Sequence, residues 1–480
     1  MSSKADINNC CSRSNDREVF DVAVVGGGVV GCAVARRFVL EGARVVLLEK
    51  GEDILSGASK ANSAILHTGF DAPVGSLELD CVQAGYKEYM QVFKDFNLPI
   101  LKTSAFVVAW TTEQLARLSN IERQAHQNNV DNVHIVASDI LLKREPNLSR
   151  SALGAVSIPG EFVIDPWSSP LAYLTQAVLN GAQVRFGYGV ASGQFDGEVW
   201  QLKSDTQEKI SARFVINCAG LYGDQLDEAL LGRSEFTIKP RKGQFVVYDK
   251  AASALLNSII LPVPTERTKG IVLTRTIFGN LLLGPTAEEQ DDRALASVSK
   301  RELELLKSQA EEMVPGLRGM PITATYAGLR PASESKEYRV FEYKEKNWIT
   351  AGGIRSTGLT ASLGLATYIF KQYSKWENSL TPLAKVKTPK MPNLAEHGSR
   401  DWMKPGYEEI VCHCEMVTKR EIDNAFTSVI PARDLSALKR RTRATMGRCQ
   451  SFYCSARLAE LTKGRFTNDL SVDTSGEKHE

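Results

Sequence analysis

Two groups of residues in this 480-residue sequence have the types and spacing to do chemistry. The first is Gly26-Gly27-Gly28-Val29-Val30-Gly31, a G-x-G-x-x-G run, with the acid Glu49 placed 18 residues past its last glycine. In such a run the first glycine permits a tight turn. The second lets backbone approach a pyrophosphate at a helix N-terminus, where unpaired N–H groups and the helix dipole favour an anion. The third lets helix and strand pack closely. Gly26, Gly28 and Gly31 are therefore candidate cofactor-binding positions. Glu49 is placed to accept bonds from ribose hydroxyls, and its neighbour Lys50 is counted with it. The spacing does not distinguish FAD from a nicotinamide cofactor. The second group is Cys412-His413-Cys414 followed, after 34 residues, by Cys449-x4-Cys454. Two close pairs of soft thiolates can enclose one metal centre. Zinc sites favour C-x2–4-C pairs, so C-x-C is unusual for zinc, and free thiols remain the third reading.

These residues need elements to hold them. Phe20–Glu49 reads as one βαβ unit: a continuous apolar strand, the glycine run, an amphipathic helix and a second apolar strand. Helical spacing recurs at 77–96, 112–127, 167–179, 298–313 and 359–373. Buried strands are expected at 212–220 and 347–353, a β-meander at 182–205, and a mostly antiparallel sheet from 236–248 and 258–285. The stretch 376–405 is rich in Pro and Lys and reads as a surface linker. Residues 406–466 form a small terminal unit, in which Thr418 and Glu421 are spaced as a capping box.

Composition sets limits. Hydrophobic residues at 43% and charged residues at 24% are those of a globular chain, which excludes pervasive disorder. The 58 Lys and Arg nearly cancel the 56 Asp and Glu, so no overall field draws the chain to nucleic acid, and nucleic acid is not an expected partner. No apolar run is long enough to span a membrane directly. Residues 1–18 lack an apolar signal core and mix both charges, and 467–480 is polar; both read as disordered tails of a cytoplasmic protein. Nine cysteines, an odd number spread over a long chain, do not make a disulfide framework.

GASKANSAILHTGF (57–70), VINCAGLYGDQL (215–226), YAGLRP (326–331) and AGGIRSTGLTAS (351–362), taken with the glycine run, resemble the D-amino-acid-oxidase-type flavoproteins. The resemblance implies FAD and an α/β (α+β) fold over 19–375. A Rossmann-like FAD-binding domain (about 19–80, 160–230 and 325–375) would interleave with a mostly antiparallel-sheet substrate domain (about 81–159 and 231–324). It further implies that Ser59 and Asn62 approach the flavin phosphates and ring edge, and that Val190 touches the adenine side. Ala219 and Gly220 would pass close to the cofactor, and Gly353, Ile354, Gly358, Leu359 and Thr360 would lie along the isoalloxazine. CHCEMVTKREI with TRATMGRCQSFYC resembles the bacterioferritin-associated-ferredoxin-like domain. That resemblance implies a [2Fe-2S] cluster on Cys412, Cys414, Cys449 and Cys454, although Ser451 and Phe452 stand where the family has small glycines. The basic residues Arg433, Lys439, Arg440, Arg441, Arg443 and Arg448 read as a solvated helix face, or as charges easing an anionic cluster.

By the same resemblance Arg330 grips a substrate carboxylate or phosphate, Arg355 is a second cation at the flavin edge, and His67 stands beside the ring as acid–base group. PRKGQFVVYD (240–249), GNLLLGPTAEEQDD (279–292) and the order of the two domains are similar to the glycerol-3-phosphate dehydrogenases, in particular the large chain of the anaerobic enzymes. They imply a small anionic alcohol as substrate. Pairing a two-electron flavin with a one-electron cluster implies a one-electron carrier or quinone-linked acceptor. The alternatives are L-2-hydroxyglutarate-type dehydrogenases, amino-acid or amine oxidases, and a non-catalytic redox protein that binds FAD.

Overall fold

The computed structural model describes residues 18–264 and 270–470. Most of both expected tails, and Cys10 and Cys11, lie outside them.

The nucleotide sheet is built on Val19–Val25 and Val45–Glu49, which pair in parallel. Lys209–Asn217 lies parallel on the far side of the first strand, and Trp348–Gly352 extends the sheet beyond it. These strands read as unbroken apolar runs because helices cover them. Val29–Leu40 packs on Gly358–Tyr373 and Ser168–Leu179, and Leu77–Val92 packs on Gly358–Tyr373. The expected meander at 182–205 is corrected in part. Gln183–Phe186 joins the parallel sheet beside Val45–Glu49, and only Val190–Phe195, Trp200–Ser204 and Lys209–Asn217 run antiparallel. The glycines at 187 and 189, turn signals in the sequence, carry the chain from the parallel sheet into that antiparallel run.

A second, mostly antiparallel sheet is centred on Arg241–Tyr248. It pairs along its length with Ile322–Arg330, which sets Arg330 directly opposite Arg241. Ile259–Pro262 and Ala105–Ala109 make a parallel pair within it. The apolar side of the helix Lys300–Met313 closes part of this core through Leu306 and Ala310.

The terminal unit is a hairpin, Ile410–Cys412 with Val417–Thr418, and three short helices. Its first helix, Lys419–Thr427, starts at the capping box that the sequence spacing predicts: Thr418 accepts from the Glu421 N–H and Glu421 from the Thr418 N–H. The stretch before it forms neither strand nor α-helix, yet it is tied down at several points. Leu383 N–H donates to Leu40, Met391 N–H to Phe96 and Glu396 N–H to Ile277. Met391, Leu394 and Ala395 are buried. This strap delivers the terminal unit to a seat that touches both larger sheets. Arg441 grips Asp53 with two nitrogens at 2.7 Å each, Arg440 adds a third contact at 2.8 Å, and Arg433 pairs with Glu52. On the other flank Lys250 pairs with Glu415, Arg448 with Asp249, and the Gln450 amide donates to the Thr323 carbonyl. Arg433, Arg440, Arg441 and Arg448 are thus interface residues; neither reading offered by the sequence named that.

Candidate functional site

A cavity of about 980 Å³ opens where the glycine run meets the second sheet. Gly26 and Gly31 explain how the chain closes there. Gly26 has φ +108°, a conformation that favours glycine, and a Cβ at Gly31 would fall on the Gly26 carbonyl oxygen. Gly28 and Val29, at the N-terminus of the helix Val29–Leu40, line the wall, and the Val29 N–H donates to Ser59 Oγ at 3.1 Å. Glu49 sits at the wall with its carboxylate already engaged: Oε2 accepts from Gly27 N–H at 2.6 Å, and Oε1 from Gly51 N–H at 2.7 Å and Ser56 Oγ at 2.9 Å. It therefore organises the loop as well as facing the space. Lys50 lies 3.5 Å above the Tyr222 ring, forming one end of the cavity with Val190.

Asn62, Ala219, Gly220, Gly353, Ile354, Gly358 and Leu359 also line the cavity. Gly31, Thr360 and His67 are not among its lining residues. Gly31 is packing beneath the turn, and Thr360 Oγ1 is occupied by the His67 N–H at 3.0 Å. The cavity, glycine-walled and headed by a helix N-terminus, fits an elongated pyrophosphate cofactor. Exchanging Glu49 for Gln weakens two charge-assisted backbone bonds at that wall. Binding of FAD is expected to weaken by about 1.5–3 kcal/mol, read by flavin release during dialysis.

At the opposite end Arg330 lines the same cavity. Its Nε donates to the Arg241 carbonyl at 3.3 Å, and its Nη2 to the carbonyls of Lys242 at 3.1 Å and Thr286 at 2.6 Å. Among the described residues no carboxylate pairs with it. Desolvation, then the charges of Arg241 and Arg355, lower its pKa to about 10. Arg355 donates to the Lys336 carbonyl at 2.6 Å and keeps a buried Nε without a partner. Arg293, which also lines the cavity, is by contrast neutralised by Asp224 through two bonds. The sequence reading missed Arg293, which directly follows the acidic run at 288–292.

His67 stands behind this wall. Its Nδ1 lies 2.8 Å from Glu161 Oε2, while Glu161 Oε1 accepts from Thr68 N–H at 2.6 Å and Thr68 Oγ1 at 2.9 Å. Glu161 is fully buried and had no sequence signal, because a single acid in PGEFVIDP looks like a turn.

The four terminal cysteines come together in two thiol pairs, Cys412 with Cys454 and Cys414 with Cys449. Backbone N–H groups of Tyr453, Ser451 and Phe452 point at Cys449 and hold its thiol below the usual range. Among the described residues, no group of three or more His, Cys, Asp or Glu is placed around a single ion. One enclosed ion was one sequence expectation; the two thiol pairs would instead offer two ligands to each iron of a binuclear centre. A Cβ at Gly447 would land on Cys414, so this loop closes tightly on the thiols. His413 is exposed.

Comparison with known proteins gives the same two parts. Residues 21–372 match the family described as FAD dependent oxidoreductase, and residues 410–463 match the BFD-like [2Fe-2S] binding domain. A glycerol 3-phosphate dehydrogenase of Caloramator mitchellensis is 30% identical over 453 residues, covering 92% of this chain and 94% of its own. One polypeptide of the anaerobic glycerol-3-phosphate dehydrogenase of Escherichia coli (strain K12) is 24% identical, covering 96% of this chain and 91% of its own. The dithionite-reduced, FAD-bound L-alpha-glycerophosphate oxidase from Mycoplasma pneumoniae superposes with a TM-score of 0.73 at 26% identity, over 78% of this chain and 99% of its own.

Proposed function

This chain belongs to the FAD dependent oxidoreductase family, and from that premise we propose that it oxidises glycerol 3-phosphate and passes the electrons through its terminal domain to an external acceptor. FAD and a [2Fe-2S] cluster are its cofactors. The acceptor in this reading is a one-electron carrier or a quinone-linked protein, because the centre takes one electron at a time.

The observation that carries the substrate class is Arg330. A guanidinium on the cavity wall with carbonyl partners alone, beside Arg355 and Arg241, is a charge waiting for an anion. Its planar fork suits a phosphate bound through two oxygens. When bound, the flavin supplies the hydride acceptor. The chain's own residues do the rest. Arg330 holds the phosphate and Arg355 adds charge at the flavin edge. Behind that wall Glu161 fixes the His67 ring through Nδ1. The names of the relatives support the same substrate. Among the described residues no helix is long and apolar enough to cross a membrane, so contact with a quinone pool would run through a partner.

Anaerobic titration tests the reading. Glycerol 3-phosphate bleaches the flavin and raises the EPR signal of a reduced [2Fe-2S] centre. Bleaching by L-2-hydroxyglutarate or an amino acid, with glycerol 3-phosphate inert, would overturn the substrate. Metal analysis is expected to find about two iron and two acid-labile sulfide per chain. Zinc without sulfide would remove the relay.

A further inference from the structure

We propose that Trp167 and Phe278 form the bridge by which electrons cross from the flavin cavity to the iron–sulfur centre. This rests on the relay proposed above and adds its route.

The bridge is continuous. Lys60, in the short turn Ala58–Lys60, lines the cavity. Its carbonyl accepts the indole N–H of Trp167 at 3.2 Å. The Trp167 and Phe278 rings stack at 5.3 Å between centroids with 15° between their planes. The Arg443 guanidinium lies 4.1 Å from the Phe278 centroid on the side of the terminal unit. Arg443 is buried, donates to Glu415 Oε2 at 3.1 Å, and sits 3.9 Å from Met446 Sδ. Glu415 follows Cys414 in the chain, and Gly447, next to Met446, closes on the Cys414 side chain.

Electron coupling falls steeply across empty gaps and far less through bonded and stacked groups. Here three separate parts of the chain meet: the Trp167 ring on the Phe278 ring, and the Arg443 guanidinium over Phe278. Core packing accounts for Phe278, which is buried. Trp167 packs half-buried at the edge of two cores, with its indole N–H on the cavity wall and its ring stacked toward the cluster unit. Each crossing moves one electron. The reduced flavin would lose it and the oxidised centre would take it up, from [2Fe-2S]2+ to [2Fe-2S]+; over the two crossings the hydride-reduced flavin gives up two electrons and one proton, which leaves to water. The second electron follows once the external one-electron acceptor has reoxidised the centre.

The test uses the full-length holoprotein, made anaerobic, with the flavin reduced by light and EDTA so that no substrate enters. Flavin is followed by absorbance and the centre by freeze-quench EPR. In Trp167→Leu and Phe278→Leu, flavin bleaching keeps its wild-type rate while the EPR signal grows about tenfold more slowly or less. The midpoint potential of the centre is unchanged. Trp167→Phe keeps a ring but loses the N–H to Lys60 and falls between; it decides the matter if the leucine variants do not fold. Wild-type growth of the signal in the variants, with only a lowered melting temperature, overturns the bridge and leaves the relay standing. A wild-type centre that stays oxidised beside bleached flavin overturns both. Glycerol 3-phosphate failing as substrate touches neither.

Discussion

Arg330→Ala keeps its FAD and loses its substrate. The variant is expected to lose about 2–5 kcal/mol of binding to the anionic end, since a partner of a desolvated charge pair is removed. That corresponds to roughly 30- to several-thousand-fold in kcat/KM for glycerol 3-phosphate. The fold tolerates the change because Arg330 itself lines the cavity, so water can fill the space its side chain leaves. Arg330→Lys restores charge without the fork and recovers only part of the loss. The check is steady-state kinetics with flavin absorbance as the control. An unchanged KM with normal flavin content would take Arg330 out of the anion site.

Asp53→Ala is expected to release the terminal unit. The alanine leaves Arg440 and Arg441 buried and unpaired, which costs about 3–5 kcal/mol. The measurements are the midpoint of chemical denaturation and the rate of proteolysis within 376–405. An unaltered rate would show that the seat is held by other contacts. Acid gives a second handle. Burial pushes the Asp53 carboxyl up, but the hydrogen bonds and charges of Arg441 and Arg440 outweigh it and hold the pKa below the ordinary value. A carboxyl lowered in the folded state contributes fully above its unfolded pKa of about 3.9 and loses that contribution as pH falls through the folded value. The seat is therefore insensitive between pH 5 and 8 (roughly) and weakens only below about pH 4.

The glycine run, Glu49 and the capping box at Thr418 could be read in the sequence because each is local. Turn, helix start and acid lie within one βαβ unit, and their physics is complete there. Cys412 and Cys414 announced a metal by spacing, but which thiol faces which did not follow, because the pairs cross between the two loops. The basic run before Cys449 shows the limit most plainly. Arg441 looked solvated because its partner, Asp53, lies 388 positions away in an unremarkable loop. Glu161 and Trp167 were invisible for the same reason. A side chain acquires a role from what the fold brings against it, and neither hydrophobic period nor motif encodes a meeting between segments so distant. The turn at Gly187 misled in another way: two strand-like runs around a glycine pair look like a hairpin unless the parallel neighbour Val45–Glu49 is known.

The seat of the terminal unit also bears on ancestry. A flavin body that shed its tail would inherit Asp53 stripped of both arginines, Lys250 without Glu415 and a bare Thr323 carbonyl. Loss or gain of the appendage by gene fusion is thus not a clean cut at the strap. It leaves a scar of mismatched surface on the older half, and tailless cousins should show that scar repaired at those positions.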